Sequence, residues 1–428
     1  MKFTAVGDLI IQRRIAQNFK GYDELSPFIM RGDARFFNLE TTLNEEGECF
    51  ASQFSGGTYV RTTPKVLEDI KKFGFNMTSF NNNHAMDFSY EGFLRTLKAV
   101  EDSGLVHAGA GRNLAAAAAP RFLETENGRV ALISVNTSFA PPCIAGEQTK
   151  RVLGRPGING LRLKEHFEVT DEEFKFIQNL ADSTGVNVQR NIARKEGYYA
   201  DLEENEIQFG EMKFIKSNRT KWVREILKTD LERVRKAIEE ALWQADEIIV
   251  SVHSHQLDGN SKEDVSEFLK EFSHFCIDNG VSAVIGHGPH LLRPIEIYKD
   301  CPIFYSLGDF VLQLYNVEFA PMEFYQKYSL TPENTVYELL KKRSKNFTVG
   351  LMENKKMFET VIPYWETENG KLKRLELLPV MGCMQGNQSE IGLPMIARDD
   401  SFMQHFADIC APYGITMTKE NEVYVCKW

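Results

Sequence analysis

The chain has 428 residues, 43% hydrophobic and 26% charged, an ordinary globular balance that allows one large α/β domain or two to three smaller ones. A net charge of −10 and a pI near 5.6 argue against a nonspecific nucleic-acid binder, which needs excess Lys and Arg, though a site can still be locally positive. Seven scattered cysteines without a CxxC pair suit a reducing compartment, and no run approaches the ~20 apolar residues of a membrane helix, so the expectation is a cytoplasmic protein with no nucleic-acid and no membrane partner.

Phe3 to Val6 reads as a first strand ending in Gly7-Asp8, with Ile10 to Phe19 expected as the following helix. Ala34 to Glu40 reads as a second strand, placing Asn38 and Glu40 on one face. Val66 to Phe73 has helical spacing, Phe75 to Phe80 is a short buried strand, and Ser89 to Val100 is a helix. Between the last two lies the turn Asn81-Asn82-Asn83-His84-Ala85-Met86-Asp87, whose polar side chains are costly to bury unless they bind something. Residues 129–135 form a strong buried strand.

Composition then shifts, and residues 140–225 read as a polar insertion with few strand-like runs and one helix from Asp171 capped by Thr170. An amphipathic helix over 230–245 precedes the strand Glu247 to Val252, which delivers His253-Ser254-His255. After a helix over 263–279, the strand Ser282 to Ile285 delivers Gly286-His287-Gly288-Pro289-His290, and Pro302 to Leu307 ends at Gly308-Asp309-Phe310. Beyond residue 320, two strands meet at Asn369-Gly370, a strong hairpin signal, and a helix follows from Phe402. The expected organisation is one domain over 1–320 carrying the insertion, with 321–428 completing or flanking it.

Five predicted strands thus end in Asp8, Glu40, Asn83-His84, His253/His255 and His287/His290. In open α/β sheets such ends collect ligands. This N and O donor set suits Zn, Mn or Fe, and two ions about 3.5–4 Å apart can activate water and hold a phosphoryl or acyl oxygen.

The motifs Gly7-Asp8, Asn38-Leu39-Glu40, Asn82 to Asp87, His253, Gly286 to His290 and Tyr305 to Phe310 together resemble the CapA (poly-γ-glutamate capsule biosynthesis) family of the calcineurin-like metallophosphoesterase superfamily. The resemblance covers 1–140 and 230–315. It implies an α/β fold, a four-layer α/β/β/α sandwich, with a site at the strand ends. By the resemblance, Asp8, Glu40, Asn83, His253 and His287 hold one or two divalent ions. His84 serves as general acid or oxyanion stabiliser, and His255, His290 and Asp309 are further ligand or acid–base candidates. The chain departs from the superfamily at Asp8-Leu9-Ile10, where Asp-x-His is expected, at Asn38-Leu39-Glu40, where Gly-Asp is expected, and at His287/His290, one residue further apart than in Gly-His-x-His. The implied activity is a metal-dependent hydrolase of a phosphoester or a γ-glutamyl or peptide amide. Two alternatives stay open: a metal-independent acid–base enzyme on a peptide, such as an epimerase, and a noncatalytic polymer-binding protein.

Overall fold

A computed structural model describes residues 1–314, 317–318 and 320–428. The chain divides into two compact units, one of Met1–Gly160 with Glu232–Trp428 and one of Leu161–Leu231.

The first unit is mixed α/β and is built on two sheets. In one, Lys2–Ile10, Ala34–Leu39, Met77–Ser79 and Val106–Ala108 run parallel in that order, with Phe3 opposite Ala34 and Phe36 opposite Met77. On the other side of Lys2–Ile10 the sheet continues antiparallel through Glu359–Glu368 and Lys371–Gly382. Their turn places both Asn369 and Gly370 at positive φ, as a two-residue hairpin of the twist-matched type demands. In the second sheet, Gly128–Asn136, Glu247–His253, Ala283–His287 and Cys301–Leu307 are parallel neighbours. Strands buried on both faces read as nearly continuous apolar runs, which is why these were visible in the sequence.

The pleat sorts side chains to opposite faces. Phe3, Ala5, Phe36 and Met77 share one core with Leu132, Ile249, Ile285 and Phe304 of the second sheet. Phe37 and Leu39 instead pack with Leu25, Ile70 and Leu97 from helices flanking the first sheet, and with Phe73 from the turn after one of them. Each such side chain contributes roughly 1.5–3 kcal/mol when fully buried. The two sheets therefore face each other, and their parallel strands carry polar residues to neighbouring tips.

The expected helix over Ile10 to Phe19 does not form. The first strand runs on through Asp8 to Ile10, because Asp309–Leu312 pairs beside it with Asp8 opposite Asp309. Beyond it, Gln12 and Arg13 give their amides to the Gln313 side chain at 2.9 and 3.1 Å, and the Asp69 carboxylate takes the Arg14 side chain and the Ile15 amide. These bonds hold the backbone out of helical geometry until Lys20–Ile29.

In the second unit, Glu206–Phe209, Met212–Lys216, Leu163–Val169 and Lys221–Ile226 form a four-stranded sheet in that order, contrary to the expectation of few strands. Their half-exposed, charge-bearing sequences give little apolar signal. The Thr170 cap is present, as a reciprocal capping box with Glu173 at the start of Asp171–Thr184. Among the described residues, no helix is long and apolar enough to cross a membrane.

Candidate metal centre

The ends of Lys2–Ile10, Ala34–Leu39, Glu247–His253 and Ala283–His287, the start of Asp309–Leu312 and one turn deliver the candidate residues to one place. Asp8 is wholly buried, and its oxygens accept from Asn38 Nδ2 at 2.7 Å and from the Gly288 amide at 2.9 Å. Asn38 lies opposite Asp8 on the neighbouring strand, so the parallel register sets this bond. The polar turn is tied down by Asn82, which donates to the Leu39 carbonyl at 2.8 Å and accepts the His84 amide at 3.1 Å. Asn83 Nδ2 donates to Gly56 at 2.8 Å, which aims its oxygen at His253 Nε2, 2.6 Å away.

His253 and His287 sit opposite each other on adjacent parallel strands, and their Nδ1 atoms are 2.9 Å apart. The Ser251 hydroxyl lies 2.7 Å from His287 Nε2, and His255 Nε2 lies 3.1 Å from His253 Nε2. Asp8 Oδ1 stands 3.6 Å from His287 Nδ1 and 4.0 Å from His253 Nδ1. Glu40 Oε1 stands 3.7 Å from His253 Nε2 and 3.8 Å from His84 Nε2. His290, at positive φ, faces Asp309 with Nδ1 3.0 Å from Oδ1. All nine sequence-predicted site residues are therefore in this one neighbourhood.

The donor atoms fall into three overlapping groups: Asp8, His253 and His287; Glu40, His253 and His255; and Asp8, His290 and Asp309, each spanning no more than 4.8 Å. Asp8 joins the first group to the third, and His253 joins the first to the second. Both carboxylate oxygens of Glu40 and one of Asp309 are buried without a hydrogen-bond partner. An uncompensated buried carboxylate costs several kcal/mol, so oxygens left bare beside imidazole nitrogens fit a cation's ligands.

Electrostatics agree with that fit. Burial, reinforced by the Asp309 charge, pushes the Asp8 carboxyl up to about 6. Burial and then Asp8 push Glu40 well above the usual carboxylate range. Burial drives His287 down to about 3, and burial with neighbouring imidazoles drives His253 and His255 well below the ordinary value. For His290 burial acts downward too, but the Asp309 carboxylate outweighs it and the net shift is up. Burial also raises Asp309, against the pull of His290.

Three supporting residues went unassigned in the sequence reading. Asp87, buried, accepts the Gly56 and Val60 amides at 3.0 and 2.9 Å and faces His84 Nδ1 at 2.7 Å. Its position three residues after His84, inside the same turn, was the available signal. Ser251, two before His253 on the same strand face, had a comparable one. Asn38 was placed on the Glu40 face but given no task.

A mixed α/β protein with a buried imidazole–carboxylate centre at strand tips is thus defined. Residues 2–314 match the model of the bacterial capsule synthesis protein PGA_cap, and the chain belongs to that family. It is similar to the uncharacterized protein y4sH of Sinorhizobium fredii, 29% identical over 434 residues that cover 98% of this chain and 91% of that protein. It is also similar to the capsule biosynthesis protein CapA of Bacillus anthracis, 22% identical over 317 residues that cover 73% of this chain and 59% of that protein. A crystal structure of a hypothetical protein from Thermus thermophilus aligns over 89% of this chain and 98% of that chain, at 12% identity and a TM-score of 0.38.

Proposed function

We propose that the chain is a metal-dependent hydrolase with a calcineurin-like α/β/β/α sandwich, acting on a phosphoester or on a γ-glutamyl or peptide amide. Asp8, Glu40, Asn83, His253 and His287 would hold one or two ions of Mn, Zn or Fe. A divalent ion at such a site polarises a phosphoryl or acyl oxygen and makes water a nucleophile near neutral pH. The observation that carries this reading is Glu40, whose two buried oxygens have no hydrogen-bond partner and whose Oε1 stands 3.8 Å from His84 Nε2 and 3.7 Å from His253 Nε2.

The chain's own residues supply the rest. Asp87 fixes His84 through Nδ1, so the proton His84 can give or take sits on Nε2, the nitrogen turned toward Glu40. Ser251 orients His287, and Asn38 orients Asp8, as outer partners orient ligands. His290 with Asp309 forms a second pair able to exchange a proton at the edge of the site. The capsule-biosynthesis name of the Bacillus anthracis relative supports a capsule polymer or its fragments among the substrates.

The test is elemental analysis of protein purified without chelators, with turnover of p-nitrophenyl phosphate, bis-p-nitrophenyl phosphate and γ-glutamyl-p-nitroanilide before and after EDTA. Bound metal, loss of turnover in EDTA and its return with Mn, Zn or Fe are expected. Full activity in EDTA would move the assignment to the metal-independent acid–base reading. Neither metal nor turnover would leave the noncatalytic one.

A further inference from the structure

Beside the His255, His290 and Asp309 end of the centre lies a cleft of about 580 Å³, lined among others by Ser261, Lys262, Leu291, Arg343 and Lys356. Leu291 follows His290 directly, and the Lys262 charge is felt at His255, His290 and Asp309. The loop that carries Lys262 is held by a buried arginine: Arg293 donates to the carbonyls of Lys262 at 2.8 Å and Gln256 at 3.0 Å. Arg293 is therefore occupied with backbone. Lys356 is occupied too, by Glu263 at 2.6 Å.

Lys262 and Arg343 differ from these. Among the described residues, no carboxylate pairs with either. Arg343 donates to the Thr58 hydroxyl and lies 5.7 Å from the Phe324 ring centre, neither of which neutralises it. Glu263, the carboxylate in the lining, is taken by Lys356, and Asp309 acts on Lys262 without pairing with it, so two cations without a direct carboxylate partner share one cleft next to the centre of a chain with a net charge of −10. Guanidinium and ammonium groups recognise carboxylates and phosphates through charge-assisted hydrogen bonds.

We infer that this cleft binds an anionic group of the substrate, a carboxylate or a phosphate, on Lys262 and Arg343. The substrate then carries a fixed negative charge beside the bond the centre attacks. That the anion belongs to a substrate rests on the hydrolase reading above; the anion site itself does not.

The experiment is calorimetric titration of the full chain with glutarate and, separately, with inorganic phosphate, as purified and after chelation. At least one probe is expected to bind the chelated protein. Lys262→Met and Arg343→Met should each weaken that binding about tenfold, and Lys262→Arg should restore most of it. Glutarate binding alone assigns a carboxylate, and phosphate binding alone assigns a phosphate. Failure of both probes to bind chelated protein at millimolar concentration, or equal affinity in wild type and both Met variants, overturns the inference. Turnover plays no part in this readout, so a failed hydrolase assay and a failed anion site are told apart.

Discussion

The side-chain oxygen of Asn83 lies 2.6 Å from Nε2 of His253. The two residues are 170 positions apart, one on a turn leaving the first sheet and the other ending a strand of the second. That contact couples the sheets at their tips and fixes the imidazole that two of the three donor groups share.

Glu40 should behave as a function-for-stability exchange. Its carboxyl is buried and bare and burial holds it well above the usual carboxylate range, so Glu40→Gln removes the cost of either burying the charge or taking up a proton in its place. The chelated variant is expected to be more stable than chelated wild type by about 1–3 kcal/mol, read from chemical denaturation. The same change should weaken metal uptake by more than about tenfold, as loss of a direct ligand must at least match loss of an outer partner. A variant that loses stability in EDTA and keeps full metal content would remove Glu40 from the site.

The strand tips are legible in sequence because strands buried on both faces leave short apolar runs that stop abruptly at polar residues, as at Val252-His253 and Ile285-Gly286-His287. Their convergence is not legible, since no local pattern tells Asn83 that His253 will face it. The failure over Ile10 to Phe19 has the same root: the bonds to Gln313 and Asp69 that hold it extended come from about 300 and 55 residues away. Likewise the Glu359–Glu368 strand shows its hairpin in Asn369-Gly370 but not its place beside Lys2–Ile10. In residues 161–231 the strands alternate charged and apolar side chains on a half-exposed sheet, and composition there reads as loop.

Metal uptake should release more protons at low pH. Asp8, raised to about 6 by burial and the Asp309 charge, holds a proton below that pH in the metal-free protein, and a divalent ion needs the carboxylate. Affinity therefore falls as pH drops through about 6. His287, near 3, is already neutral across this window and releases nothing. For stability the sign is reversed. The protonated Asp8 favours the metal-free fold fully below its ordinary 3.8, and that contribution is lost as pH rises through about 6. Calorimetry in buffers of different ionisation enthalpy should count more protons at about pH 5.5 than at about pH 7.5. A count that rises with pH would contradict the assignment.

His84 should matter to turnover and not to metal content. Its Nδ1 is taken by Asp87 and its Nε2 faces the centre, the arrangement of an oriented acid or oxyanion donor. His84→Asn is expected to lower kcat by about 10²–10⁴, with KM and metal stoichiometry near wild type. Asp87→Asn should give a smaller loss, because it weakens the contact that orients the ring. Metal loss in His84→Asn would recast the residue as a ligand.

Asp69 holds the irregular segment that replaced the expected helix. Its side chain is fully buried, and it takes Arg14 Nη2 at 3.0 Å and the Ile15 amide at 3.1 Å. Burial alone would raise its pKa, but Arg14 and the Ile15 amide overcome that and hold the carboxyl below its ordinary 3.8. A depressed carboxylate stabilises the fold above the unfolded value and loses that contribution as pH falls through the lower folded value. Asp69→Asn breaks a pair whose carboxylate is buried but whose guanidinium is partly exposed and also meets Glu68, and is expected to cost about 1–2 kcal/mol at neutral pH. Urea denaturation at about pH 7 and about pH 3 should show the gap between wild type and variant narrowing toward the acid side, since below the ordinary 3.8 the unfolded chain takes up a proton that the folded carboxylate resists. A gap of the same size at both would mean that the packing of the Ile10 to Lys20 segment, and not the ion pair, keeps it in place.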